Sequence, residues 1–208
     1  MDKKQKLEEL RNKMKSDQSL PLRQGATNLA FGDGDPESEL LFIGEGPGYW
    51  EDMKGIPFVG NAGALLNQLL SLIGIPRNKI YITNVIHYRA PENRDPDPSE
   101  INAFKPYLDG IIKIIDPKVI ITLGRFSMAK FLPGVMISNV HGKPSMVDVN
   151  GKEITIVPMY HPAAALRNGE VKLKLKNDFL KLPEILTSTN NDKKNDKITK
   201  KEEQMNLI

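Results

Sequence analysis

Four side chains that lie far apart in the chain carry complementary chemistry. Glu45 sits in Gly44-Glu45-Gly46-Pro47-Gly48, directly after the apolar run Leu40-Leu41-Phe42-Ile43. Phe58 sits in Pro57-Phe58-Val59-Gly60, Asn84 in Thr83-Asn84-Val85 and His161 in Tyr160-His161-Pro162. A carboxylate can orient water and favour a developing cation. An asparagine presents an acceptor beside a donor, enough to read the edge of a heterocyclic base that shows one of each. An aromatic ring offers a stacking face, and an imidazole a hydrogen-bond donor. Glycines at 44, 46 and 48 keep Cβ atoms out of the way of a ligand, and Pro47 stiffens the turn. The loop is neither the phosphate-binding pattern, which needs Lys-Ser or Lys-Thr after its last glycine, nor the dinucleotide fingerprint, which needs a third glycine opening a helix. Singly, Asn84 reads as a helix cap, His161 as a surface histidine and Phe58 as core. Together they fall at the carboxyl ends of expected neighbouring strands, where open α/β sheets bind ligands.

The elements that must position these residues follow from hydrophobic spacing. Residues 2–15 place Leu7, Leu10 and Met14 on one face of a short helix. Strands are expected at 39–44, 80–85, 118–122 and 154–157, the last as the second arm of a hairpin turning at Asn150-Gly151. Helices are expected at 61–73, with Leu65, Leu66, Leu69, Leu70 and Ile73 inward, from an N-cap at Ser99 through Ile115, and at 172–185. Strands alternating with helices imply the α/β class: a three-layer sandwich with a central, four-stranded, mainly parallel sheet flanked by helices.

Composition narrows the function classes. With 208 residues the chain can bury one α/β core, and a net charge of +3 permits nucleic-acid binding without demanding it. The absence of cysteine removes disulfides, thiol catalysis and any cysteine-held metal. The charged start Met1-Asp2-Lys3-Lys4-Gln5 lacks a secretory pattern, and no apolar run reaches membrane-spanning length, so a cytoplasmic protein is expected.

Over residues 20–185 the sequence resembles the family-4 uracil-DNA glycosylases. The resemblance rests on Gly44–Gly48 with Glu51-Asp52, on Pro57-Phe58-Val59-Gly60-Asn61-Ala62-Gly63, on Thr83-Asn84-Val85, on Asn93-Arg94-Asp95-Pro96 and on Tyr160-His161-Pro162-Ala163-Ala164. It implies a repair enzyme that removes uracil from DNA by hydrolysis, acting as a monomer. Glu45 and His161 would then be catalytic. Gly44, Gly46, Pro47, Gly48, Asp52, Phe58 and Asn84 would bind substrate, with Phe58 stacked on the extruded base, Asn84 on its polar edge and His161 on uracil O2. Leu166, Arg167 and His141 would contact DNA.

The same resemblance implies a four-iron cluster on four cysteines, yet those positions align with Asp17, Leu20, Tyr88 and Phe104. No iron–sulfur cofactor is therefore expected, and Leu20, Tyr88 and Phe104 are expected to pack together in its place. His141 stands where arginine is common in the family. An alternative follows a related branch that traps the abasic sugar covalently through a loop histidine, or a module that binds uracil or abasic DNA without turnover. Residues 1–185 are expected to form the glycosylase-like domain and 186–208 a disordered tail. That tail ends in Gln204, Met205, Asn206, Leu207 and Ile208, which resembles a peptide that docks into the bacterial sliding clamp.

Overall fold

The computed structural model describes the backbone of residues 1–205 and the side chains of residues 1–188. Helix α1 (Lys3–Ser16) starts at a capping box in which Asp2 and Gln5 satisfy each other's backbone N–H groups. There follow β1 (Asp33–Gly34), β2 (Leu40–Gly44), α2 (Tyr49–Lys54), α3 (Asn61–Leu72), β3 (Tyr81–Asn84) and α4 (Pro98–Ile115). The second half contains β4 (Val119–Leu123), α5 (Arg125–Ala129), α6 (Ile137–Val140), β5 (Ser145–Asp148), β6 (Glu153–Met159), α7 (Pro162–Arg167) and α8 (Gly169–Met205).

Among the described residues the strands run β1-β3-β2-β4-β6-β5. The inner four, β3, β2, β4 and β6, are parallel, as expected. The sheet is wider than four strands because β1 and β5 pair antiparallel on its two edges. The β1 strand is two residues long and has no apolar run, so no hydrophobic pattern announces it. The β5–β6 hairpin turns at Asn150-Gly151, both with positive φ (58° and 81°), the geometry a two-residue hairpin loop requires.

Side chains of successive strand residues enter opposite halves of the core, as the two-residue period of a strand dictates. Leu41, Ile43, Tyr81, Ile120, Ile154 and Ile156 join one buried cluster with the inner faces of α1 and α4. Phe42, Ile82, Ile121, Val157 and Met159 join the other, with Leu65, Leu66, Leu69 and Leu70 of α3 and Leu175, Phe179 and Leu182 of α8. Burial on both faces explains why the strands read as continuous apolar runs.

Two boundaries differ from expectation. Helix α4 is capped by Asp97 rather than Ser99, because Pro98 suits the first helical position and the Glu100 carboxylate accepts the Asp97 backbone N–H at 2.8 Å. The backbone of α8 stays helical through Met205, across residues whose composition predicts an unfolded tether. The side chains of Gln204 and Met205, and all of Asn206, Leu207 and Ile208, lie outside the described residues. Among the described residues no helix is long and apolar enough to cross a membrane.

The positions aligned with family cluster ligands are joined by packing. Leu20, Tyr88 and Phe104 are buried in the same cluster, and the Tyr88 and Phe104 rings lie 6.2 Å apart. Phe104 also lies 5.7 Å from the ring of His87, which in turn lies 5.9 Å from Phe31. Asp17 is tied in by the Tyr107 hydroxyl, which donates to its carboxylate at 2.6 Å. Phe104→Ala is expected to lower the unfolding free energy by about 3–5 kcal/mol, read from urea denaturation, because it removes the ring at the centre of this junction.

Candidate active site

Parallel pairing of β2 with β3 aligns Gly44 with Asn84 at the carboxyl edge of the sheet. The approach there is tight. A Cβ on Gly44 would lie 2.5 Å from the Asn84 side-chain oxygen and 2.6 Å from the Phe58 ring, so only glycine fits. Asn84 is 1% exposed, and neither its amide nitrogen nor its carbonyl oxygen has a hydrogen-bond partner. A buried amide left unpaired costs about 1–3 kcal/mol, a cost accounted for when a ligand supplies the partners.

Phe58 is held in a backbone conformation that few non-glycine residues adopt, with φ of 54°. Two charged side chains hold it there. The Arg77 guanidinium donates to the Phe58 carbonyl at 3.0 Å and to the Pro57 carbonyl at 2.7 Å. One oxygen of the buried Glu51 carboxylate accepts the backbone N–H groups of Val59 and Gly60 at 2.9 and 2.8 Å. Helix α3 closes against the same loop through Gly63, where a Cβ would overlap the Phe58 carbonyl.

His161 is the N-cap of α7, and its Nδ1 accepts the Ala163 backbone N–H at 3.1 Å. The acceptor role of Nδ1 puts the imidazole proton on Nε2. Burial, aided by the positive charge of Arg167, pushes the His161 pKa down to about 4. At neutral pH the ring is therefore an uncharged donor through Nε2, with its centroid 5.6 Å from that of Phe58.

Phe58 and His161 face one cavity of about 330 Å³. Glu45, Gly46, Pro47, Gly48, Phe58 and His161 line it, with Arg167, Arg94 and Asp95 around them. Asn84 and Gly44, expected to bind substrate, are not part of the lining; Gly44 sits close against both the Asn84 side-chain oxygen and the Phe58 ring. Burial, with help from the negative charge of Asp95, raises the pKa of Glu45, while the charge of Arg125 opposes the shift. A pocket of this size, with an aromatic wall, a neutral donor and a carboxylate of raised pKa, and with an unpaired buried amide packed against Gly44 outside its lining, can hold a flat heterocycle and act on the atom attached to it.

The remaining site expectations separate. Arg167 lines the cavity, and Leu166 beside it is exposed on α7. Asp52 does not line it. Its carboxylate accepts the backbone N–H groups of Thr27 and Asn28 at 2.8 and 3.2 Å, because its position on α2 faces the 27–28 segment, whereas the neighbouring Glu51 lines the pocket. His141 is also outside the lining. Its Nδ1 is bound to the buried Asp178 at 2.7 Å and its ring packs 4.7 Å from Tyr160, since α6 delivers it to α8 rather than to the cavity. Burial raises the pKa of Asp178, and the hydrogen bond from His141 opposes that shift.

Sequence reasoning did not single out Arg77 or assign Glu51 a task. Glu51 carried a signal, since it stands in the quoted Glu51-Asp52 pair. Arg77 carried none: its guanidinium donates to the carbonyls of Pro57 and Phe58 and to the side chains of Asp33 and Asn67, all remote in sequence. As for the family's iron–sulfur cluster, Asp17, Leu20, Tyr88 and Phe104 include no thiolate, and among the described residues no group of three or more metal-ligating side chains occurs. The donor set does not fit that cofactor. Arg77→Met is expected to destabilise the protein by about 1–3 kcal/mol, measured by urea denaturation, with early proteolysis at residues 55–60, because two carbonyls of a strained loop lose their donor.

The family model described as the uracil DNA glycosylase superfamily matches residues 31–184. A type-4 uracil-DNA glycosylase of Sulfurisphaera tokodaii is 44% identical over 86% of this chain and 84% of its own length. One from Archaeoglobus fulgidus is 39% identical over 86% of this chain and 92% of its own length. One from Saccharolobus solfataricus is 42% identical over 77% of each. The match spans the sheet, the glycine loop after β2 and the histidine after β6, and the chain belongs to the uracil-DNA glycosylase superfamily.

Proposed function

We propose that the protein is a uracil-DNA glycosylase that hydrolyses the bond between uracil and deoxyribose in DNA, releasing free uracil and leaving an abasic site for base-excision repair. The observation that carries this reading is the buried, unpaired amide of Asn84, which crowds Gly44 together with the Phe58 ring. Uracil offers N3–H and O4 side by side, matching the carbonyl and amide of that side chain. His161 Nε2–H would reach O2, and Phe58 would stack on the ring. The names of the relatives support the same assignment.

The chemistry follows from where charge develops. As the C1′–N1 bond breaks, its electron pair goes to uracil, spreading negative charge onto O2 and O4, and the sugar becomes cationic. Donors fixed at O2 and O4 stabilise charge absent from the ground state, so their effect falls on the barrier. A neutral His161 suits this role, since it keeps its proton while lending the hydrogen bond. Glu45, ionised, favours the cationic sugar and orients water toward C1′, accepting its proton as the new C–O bond forms. The target base must first leave the stack, at a cost of a few kcal/mol, which the closely shaped pocket offsets.

Covalent trapping through His141 is the weaker reading, because that ring is tied to Asp178 outside the cavity. Residues Gln204 to Ile208 are proposed, from their sequence alone, as the clamp-docking peptide.

Release of uracil from a uracil-containing oligonucleotide tests the assignment. His161→Ala and Asn84→Ala are each expected to lower kcat by about 10²-fold or more, Asn84→Ala also relaxing the choice of base. No release by the intact protein would overturn the reading. The pH profile is expected to show an acidic limb set by Glu45. Its raised pKa means the active carboxylate is lost, as pH falls, at higher pH than for an ordinary glutamate. His161 stays neutral until about pH 4, so Glu45→Gln should lower kcat and flatten the limb above that point.

A further inference from the structure

Helix α2 is turned against the usual order of burial. Its two carboxylates face inward, 8% exposed at Glu51 and 4% at Asp52, and both are used by backbone N–H groups. Its outward face carries Tyr49 (51% exposed), Trp50 (53%) and Met53 (47%). Large apolar side chains on a helix that hides its own charges are not what folding alone favours.

The charge around these rings is positive. Lys54 is exposed on the same helix, and the Arg89 guanidinium lies 5.4 Å from the centre of the Tyr49 ring. The helix contributes no outward carboxylate. Aromatic faces interleaved with cations complement a polyanion that carries flat bases.

The patch is continuous with the cavity. Gly48, which caps α2, lines the pocket, and Trp50 lies against Gly60, two residues from Phe58. The Tyr49 and Trp50 rings meet edge to face, 5.2 Å apart at 79°, and about half of the Trp50 surface remains exposed.

We propose that the outward face of α2 is a stacking platform for nucleobases of single-stranded DNA next to the extruded nucleotide, with Trp50 as its principal face. The proposal rests on the glycosylase reading for the identity of the strand. Bases in a duplex are already covered on both faces by their neighbours, whereas those of a single strand can leave their stack for an aromatic side chain. The platform thus gives the enzyme a preference for uracil in single-stranded over double-stranded DNA.

Trp50 is the sole tryptophan of the chain, so its fluorescence reports the platform directly. Titration of the intact protein with a uracil-free single-stranded oligonucleotide is expected to quench this emission saturably, and a blunt duplex of the same length to quench it far less. In uracil release, Trp50→Ala is expected to raise KM for single-stranded substrate about tenfold, with less than a twofold change for duplex and the effect falling on KM rather than kcat. Trp50→Phe should retain most of the single-strand affinity. Absence of quenching, equal rises in KM for both substrates, or a change in oligomeric size on Trp50→Ala with KM unaltered would overturn the proposal, the last marking a protein-binding face. The titration needs no turnover, so a protein that quenches yet releases no uracil would refute the glycosylase reading and leave the platform standing.

Discussion

Gly44, Asn84 and Phe58 meet in a space that admits no further atom, and most of the architecture serves that contact. The parallel register of β2 and β3 sets the first two side by side. Arg77 and Glu51 hold the third from opposite sides of its loop, one through carbonyls and the other through N–H groups. A side chain in a left-handed backbone conformation costs of order 1–3 kcal/mol and persists only where its surroundings over-determine it. Here two charge-assisted clamps and the start of α3 do so. The energetic purpose is preorganisation: a stacking ring already in position need not be ordered when the base arrives.

The polar groups of the site share one property, that burial has tuned each of them. Asn84 keeps its amide dry and unpaired, His161 is kept neutral, and Glu45 holds its proton more readily than an exposed glutamate. Each arrangement costs stability in the free protein. The opposing gain comes from the two apolar clusters that sandwich the sheet, which keep the strand ends rigid while leaving their carboxyl edge open. Placing the expense at the edge and the compensation in the centre lets the site remain poised without loosening the fold.

The junction around Leu20, Tyr88 and Phe104 shows a second exchange of one kind of cohesion for another. These positions align with cluster ligands in the family, but here they contribute apolar surface to the core shared by α1 and α4. Hydrophobic burial is not directional, so it can join the N-terminal segment to the loop after β3 without the geometry a metal would impose. Hydrogen bonds to the Asp17 carboxylate from the Tyr107 hydroxyl and from the Ser19 hydroxyl and backbone N–H add a directional element at this set of positions.

The α/β class, the four parallel strands, the hairpin at Asn150-Gly151 and the placing of Glu45, Phe58 and His161 on one cavity were legible in the amino-acid sequence, while Asn84 lies outside the lining of that cavity. Each was legible because its signal is local: apolar runs, three- and four-residue spacing, a turn dipeptide, and motifs at strand ends. The assembled fold decided what depends on distant partners. Asp52 turned toward Thr27 and Asn28 instead of the pocket, His141 toward Asp178, and the unremarked Arg77 toward the carbonyls behind Phe58. It also decided the His161 tautomer and the outward display of Tyr49 and Trp50, since the side a residue of a short helix faces is set by what packs against it. Residue type states what a side chain can bond to, whereas the partner it meets is fixed by how remote segments are brought together.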